Sequence, residues 1–142
     1  MKFKTLLTLA ATLALGFNVA LAAEDDSPLG TEMKAMNKAL RTLKKQLADT
    51  TKKEDNLALV GKMKKATEDS KKHDPAKTKD IPAADKVAYL AKYKEQMDGL
   101  SKSFDDLETA VKEDKVDDAK KILEKLSEQK EKGHKDFNPD DK

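Results

Sequence analysis

The 142-residue chain contains no cysteine. This absence excludes disulfides, zinc–thiolate sites, a cysteine nucleophile and the C-x-x-C-H motif that attaches c-type haem. Aromatic residues make up only 4% of the sequence, and no segment alternates apolar with polar residues. Because strands favour aromatic and β-branched residues, the sequence predicts no β-sheet.

The first 22 residues have the pattern of a secretory signal peptide. Lys2 and Lys4 precede an apolar run at residues 6–15, and a small-residue cleavage pattern follows at residues 20–22. A membrane anchor is the alternative, but the run is shorter than the roughly 20 residues that a spanning helix needs. We therefore expect cleavage after Ala22, a periplasmic mature chain of residues 23–142, and no membrane association after cleavage.

The predicted mature chain has no excess charge of either sign. The whole sequence has 29 basic and 27 acidic residues, and removal of Lys2 and Lys4 leaves 27 of each. The two signs alternate along the chain instead of forming blocks. Since nucleic-acid binding depends largely on basic residues, the composition predicts no nucleic-acid partner.

Apolar residues recur at steps of three and four in four segments, which is the spacing of one helix face. The predicted helices begin at residues 28–31, near Asp55 or Asn56 as N-cap, near Pro82 or Asp85, and at Val116, and the last ends at Phe137. Four helices with short links pack most economically as an antiparallel bundle. The sequence thus predicts an all-α, up-down-up-down four-helix bundle.

Two inward-facing residues at one end of this bundle have the chemistry of metal ligands. Met33 lies near the start of the first helix, and His134 lies near the end of the fourth, in line with Val116. A thioether and an imidazole that face each other are a known axial pair for haem iron. Each residue also has an ordinary explanation, as core filler or as a partner of the helix dipole. His73, the other histidine, lies in a polar loop and is predicted to be solvated.

Two stretches of the chain resemble the soluble periplasmic cytochrome b562 family. Its first helix, which begins with its ligating methionine, is similar to MKAMNKALRTL at residues 33–43. Its third-to-fourth helix hairpin, which ends in its ligating histidine, is similar to DDLETAVKEDKVDDAKKILEKLSEQKEKGHKDF at residues 105–137. The resemblance covers nearly the whole predicted mature chain.

The resemblance implies one non-covalently bound haem b per chain, with Met33 and His134 as axial ligands. Met36, a competing thioether one turn on, takes an aliphatic packing position by the resemblance. Lys130 matches a basic position that approaches a propionate, and a solvated lysine is the alternative. The bundle geometry suggests that the macrocycle is surrounded by Met36, Leu40, Met63, Leu90, Tyr93, Met97, Leu126 and Phe137.

The implied function is that of a small periplasmic electron carrier and not of an enzyme. Two protein ligands fill both iron positions and leave none open for a substrate. We expect a monomer whose partners are redox proteins. A haem-free binding or scaffolding protein of the same family is the alternative. A di-iron bundle needs a Glu-x-x-His motif on each of two helices, and the sequence does not provide the two.

Overall fold

The computed structural model describes residues 27–138, and these residues form four α-helices and no strand. The helices are α1, Pro28–Gln46; α2, Lys53–Ser70; α3, Lys86–Lys112; and α4, Val116–Phe137. Short 3-10 helices at Thr50–Lys52 and Ala76–Asp80 lie in the first two links. The predicted all-α class is confirmed. The predicted signal peptide lies outside the described residues.

Local sequence explains where α1 and α3 begin. The Ser27 side chain caps α1 by accepting a hydrogen bond from the Gly30 N–H at 3.0 Å, and Pro28 fills the first helical position. α3 begins directly after Asp85, as predicted. α3 and α4 are joined by a tight turn in which Asp114 has φ 56°, a left-handed conformation that aspartate tolerates better than most residues.

α2 begins at Lys53, two residues before Asp55, so the prediction that Asp55 or Asn56 is its N-cap is wrong. Asp49 caps the preceding 3-10 turn through its carboxylate, which accepts a hydrogen bond from the Thr51 N–H at 3.0 Å. Asn56 is buried instead of capping, and its Oδ1 accepts a hydrogen bond from Gln46 Nε2 at 2.9 Å.

Contacts between helices show that consecutive helices run in opposite directions, since residue numbers rise along one helix as they fall along the next. Ion pairs join α2 and the residue after it to α3 and the turn after it, in the order Lys53–Asp114, Lys64–Glu108 and Lys71–Asp98. Hydrogen bonds show the same order between α1 and α2 (Gln46–Asn56, Met36–Thr67) and between α3 and α4 (Gln96–Asp136, Gly99–Gln129). The start of α1 and the end of α4 therefore share one end of the bundle.

Two apolar clusters fill the interior. The larger cluster takes side chains from all four helices, and its fully enclosed members include Leu43, Met63, Phe104, Leu107 and Leu126. The smaller one, made of Tyr93, Met97 and Phe137, lies where α3 begins and α4 ends. None of the helices among residues 27–138 is long and apolar enough to cross a membrane.

Candidate functional site

A cavity of about 600 Å³ lies at the end of the bundle where α1 begins and α4 ends. Its volume falls within the roughly 300–1,000 Å³ of most ligand pockets. α1, α3 and α4 form its walls, together with Pro75 and Ala76 of the α2–α3 link. Its apolar lining consists of Leu29, Met33, Met36, Leu40, Tyr93, Met97, Leu100, Phe104, Leu126 and Phe137, besides the two link residues.

Most of the residues predicted for the site line this one cavity. They are Met33, Met36, Leu40, Tyr93, Met97, Leu126, Lys130, His134 and Phe137. Contrary to the prediction, Met63 and Leu90 do not line it. Met63 is fully buried in the larger cluster on α2, a helix that contributes no residue to the cavity wall.

The two methionines of α1 differ in what their sulfur atoms contact. Met36 is buried, and its Sδ lies 3.8 Å from the Thr67 hydroxyl, which donates to it from α2. Met36 therefore stands between α2 and the cavity. Met33 is only half-buried and packs against both apolar clusters. Among the described residues no hydrogen bond engages its sulfur, so of the two methionines of α1, Met33 has the thioether that is open to a ligand.

His134 reaches the cavity from the last turn of α4. Its carbonyl accepts a hydrogen bond from the Asn138 N–H at 2.8 Å, which closes the helix. Its side chain is half-buried, and within the described part of the chain no hydrogen bond engages the imidazole. A ring nitrogen of His134 is thus available to bind a metal in the cavity.

Two sets of contacts fix this last turn of α4 against α3. The ring of Phe137 makes edge-on contacts with Tyr89 and Tyr93, with 5.2 Å between ring centroids in each pair. In the same turn, Asp136 Oδ2 accepts hydrogen bonds from Gln96 Nε2 at 2.7 Å and from Lys92 Nζ at 3.1 Å. Burial alone would raise the pKa of Asp136, but these bonds outweigh it and lower that pKa. Asp136 therefore stays ionised and holds α4 in place.

Tyr93 joins the cavity wall to α2. Its hydroxyl donates a hydrogen bond to the Ser70 carbonyl at 2.9 Å, and burial raises its pKa to about 12. The phenol is therefore neutral at physiological pH. The Tyr93 hydroxyl is thus a buried polar group whose hydrogen bond is already made to the protein.

Charged residues in the cavity wall are mostly basic. Lys34, Lys92, Lys130 and Lys132 line it, against the single carboxylate of Glu95. Lysines beside an apolar pocket suit a ligand that is largely apolar and carries carboxylates at its edge. Among residues 27–138 no group of three or more His, Cys, Asp or Glu side chains is arranged to hold a metal ion.

The fold and the cavity define a four-helix bundle with a ligand pocket at one end. The family model described as Cytochrome b562 matches residues 28–138, a range that spans all four helices. The chain belongs to the cytochrome b562 family, which confirms the resemblance seen in the sequence. Searches of curated proteins and of solved structures each found no significant match. The family is one of small haem-binding four-helix bundles, so membership implies haem b.

The cavity residues fit a haem. The apolar lining suits the macrocycle, the lysines suit the propionates, and Met33 of α1 and His134 of α4 offer one soft and one imidazole ligand. The sequence did not identify Gln96, Lys92 and Asp136 as positioning residues. Their pairing depends on the register between α3 and α4, which apolar periodicity does not specify.

Proposed function

We propose that the chain is a small periplasmic electron-transfer protein that binds one non-covalent haem b, with Met33 and His134 as the axial ligands. One observation carries the proposal: these two residues, near opposite ends of the described chain, line the same cavity from α1 and α4. Family membership supports the cofactor, and the geometry supports the choice of ligands.

The ligand pair supports electron transfer over catalysis. With a thioether and an imidazole bound, no iron position is left for oxygen or a substrate. Bound haem supplies a one-electron couple, and thioether ligation favours its reduced state. The protein family is in general non-enzymatic.

The chain's own residues account for the remaining requirements. The apolar walls from Met97, Phe104 and Leu126 exclude water from the macrocycle. Lys130 lines the cavity one turn before His134, where its ammonium group suits a propionate. Because the sequence has no cysteine, thioether attachment of the macrocycle is impossible and binding is non-covalent. The signal-like pattern of residues 1–22 supports export to the periplasm.

Absorption spectroscopy of the purified protein loaded with haemin tests the proposal. We expect sharp, split visible bands after reduction, and we expect Met33→Ala and His134→Ala each to abolish this six-coordinate spectrum. Met63→Ala is the matched control, because that methionine lies outside the cavity wall. A spectrum like that of free haemin, insensitive to all three substitutions, would contradict the proposal and favour a haem-free binding protein.

A further inference from the structure

The exposed face of α1 carries a concentrated positive charge. The helix has a single acidic residue, Glu32, against five basic residues, all of them exposed: Lys34, Lys38, Arg41, Lys44 and Lys45. Four of the five are spaced by four, three and four residues, so they form one stripe opposite the buried face of the helix. At about 1.5 Å per residue, this stripe from Lys34 to Lys45 is about 16 Å long.

Carboxylates of the same molecule do not neutralise most of this stripe. Every ion pair recorded between described residues joins side chains of α2, α3, α4 or their links, and Lys38, Arg41 and Lys45 take part in none. Lys64 of α2 shows the contrast, because both Asp105 and Glu108 of α3 pair with it. The charge of Lys38, Arg41 and Lys45 is therefore available to an external anionic surface.

The stripe is continuous with the cavity. Lys34 lines the cavity beside Met33, and Lys130 and Lys132 line it from α4. A partner bound to the stripe therefore also contacts Lys34, a residue of the cavity wall. Lys34 and these two lysines of α4 are basic residues of one cavity wall.

We propose that this basic face, Lys34, Lys38, Arg41 and Lys45, docks the acidic surface of a partner redox protein. The proposal rests on the electron-transfer function argued above. Docking there places the partner beside the helix that carries Met33. Transfer then moves one electron from ferrous haem to the partner's oxidised centre, and no proton or atom is exchanged. Complementary charge speeds encounter most at low salt, because screening sets in within about 10 Å at 0.1 M.

A charge-reversal experiment tests the docking surface. The triple variant Lys38→Glu, Arg41→Glu, Lys45→Glu leaves the cavity wall intact. Its matched control, Lys62→Glu, Lys94→Glu, Lys125→Glu, makes the same change in net charge with one exposed lysine on each of the other helices. Both are loaded with haem, reduced, and mixed in a stopped-flow instrument with oxidised plastocyanin, an acidic blue-copper protein, or with a neutral quinone.

We expect the α1 variant to react with plastocyanin at least about tenfold more slowly than the control at low salt. At high salt this difference in rate should disappear, because the charges are screened. Both should react with the quinone at the wild-type rate. Equal plastocyanin rates for the two variants would overturn the docking proposal. Failure of the wild type to react even with the quinone would instead contradict the electron-transfer function.

A binding measurement gives a readout that does not depend on electron transfer. Titration of the labelled wild type with plastocyanin should shift the backbone amide resonances of α1 more than those of α2. Shifts spread evenly over the surface would overturn the proposal. Binding to phosphatidylglycerol vesicles that is lost in the α1 variant, without α1 shifts on adding plastocyanin, would overturn it in favour of a membrane surface.

Discussion

Replacement of Tyr93 by phenylalanine measures how the cavity wall is joined to α2. The Tyr93 hydroxyl donates to the Ser70 carbonyl at 2.9 Å, and the residue is 2% exposed. That carbonyl also accepts from the His73 N–H at 3.1 Å, so it keeps a partner in the variant. The loss is therefore one neutral hydrogen bond, about 0.5–1.5 kcal/mol of unfolding free energy at pH 7. The ring keeps its contact with Phe137.

The same substitution should change how stability depends on pH. Burial raises the pKa of Tyr93 from 10.0 to about 12, so the folded state holds this proton more tightly than the unfolded chain. The resulting stability is fully present below pH 10 and is lost as the pH rises through about 12. By about pH 11 the wild type should have lost about 1.4 kcal/mol relative to Tyr93→Phe, which has no phenol to titrate there. The advantage of the wild type should then vanish or reverse.

Urea unfolding followed by circular dichroism, at pH 7 and about pH 11, checks this result with both proteins in the same haem state. Lysine titration affects both proteins alike and cancels in the difference. Tyr89→Phe is the control at pH 7, because the Tyr89 hydroxyl is buried without a hydrogen-bond partner among the described residues and its removal should cost no stability. A stability difference between wild type and Tyr93→Phe that stays constant from pH 7 to 11 would refute the reasoning.

Three further substitutions test the bundle itself by urea unfolding. Hydrogen bonds from Lys112 and Lys64 lower the pKa of Glu108 from 4.5 to about 2. Their stabilising effect is therefore present above pH 4.5 and is lost as the pH falls towards 2. Because solvent screens this partly exposed ion pair, Glu108→Gln should lower the free energy of unfolding by about 1 kcal/mol at pH 7 and by almost nothing near pH 2. An equal cost at both pH values would count against this ion-pair account. Leu43→Ala, at a fully buried site, should cost about 2–5 kcal/mol, and a cost under about 1 would be inconsistent with the described core. Gly61→Ala should raise the free energy of unfolding by about 0.5–1 kcal/mol, because an added Cβ meets no atom within 4 Å and alanine favours the helix. A loss of stability would argue against the open space beside Gly61 on α2.

The fold was predictable because its information is local and periodic. The apolar steps from Leu90 to Val111 predict one long helix with a single buried face, and α3 is that helix. The start of α2 was not predictable in the same way. Asn56 is a good N-cap by residue type, but the register between α1 and α2 places Gln46 beside it and buries it.

The candidate site was predictable where topology alone brings residues together. Periodicity places Met33 and His134 on the inward faces of α1 and α4, and the up-down-up-down topology brings the start of α1 and the end of α4 to the same end of the bundle. The Met63 placement failed because periodicity shows that a side chain points inwards but not which part of the interior it reaches. The basic face of α1 was missed for another reason: an overall charge balance conceals an uneven distribution between helices.

The central claim, that Met33 is the thioether ligand opposite His134, has a direct test in proton NMR of the reduced, haem-loaded protein. The methyl group of a methionine bound to low-spin ferrous haem lies over the macrocycle, whose ring current shifts its resonance far upfield. We predict one such resonance in the wild type, its loss in Met33→Leu, and its retention in Met36→Leu, whose sulfur is already engaged by Thr67. Retention in Met33→Leu with loss in Met36→Leu would contradict the assignment, and absence from the wild type would contradict methionine ligation altogether.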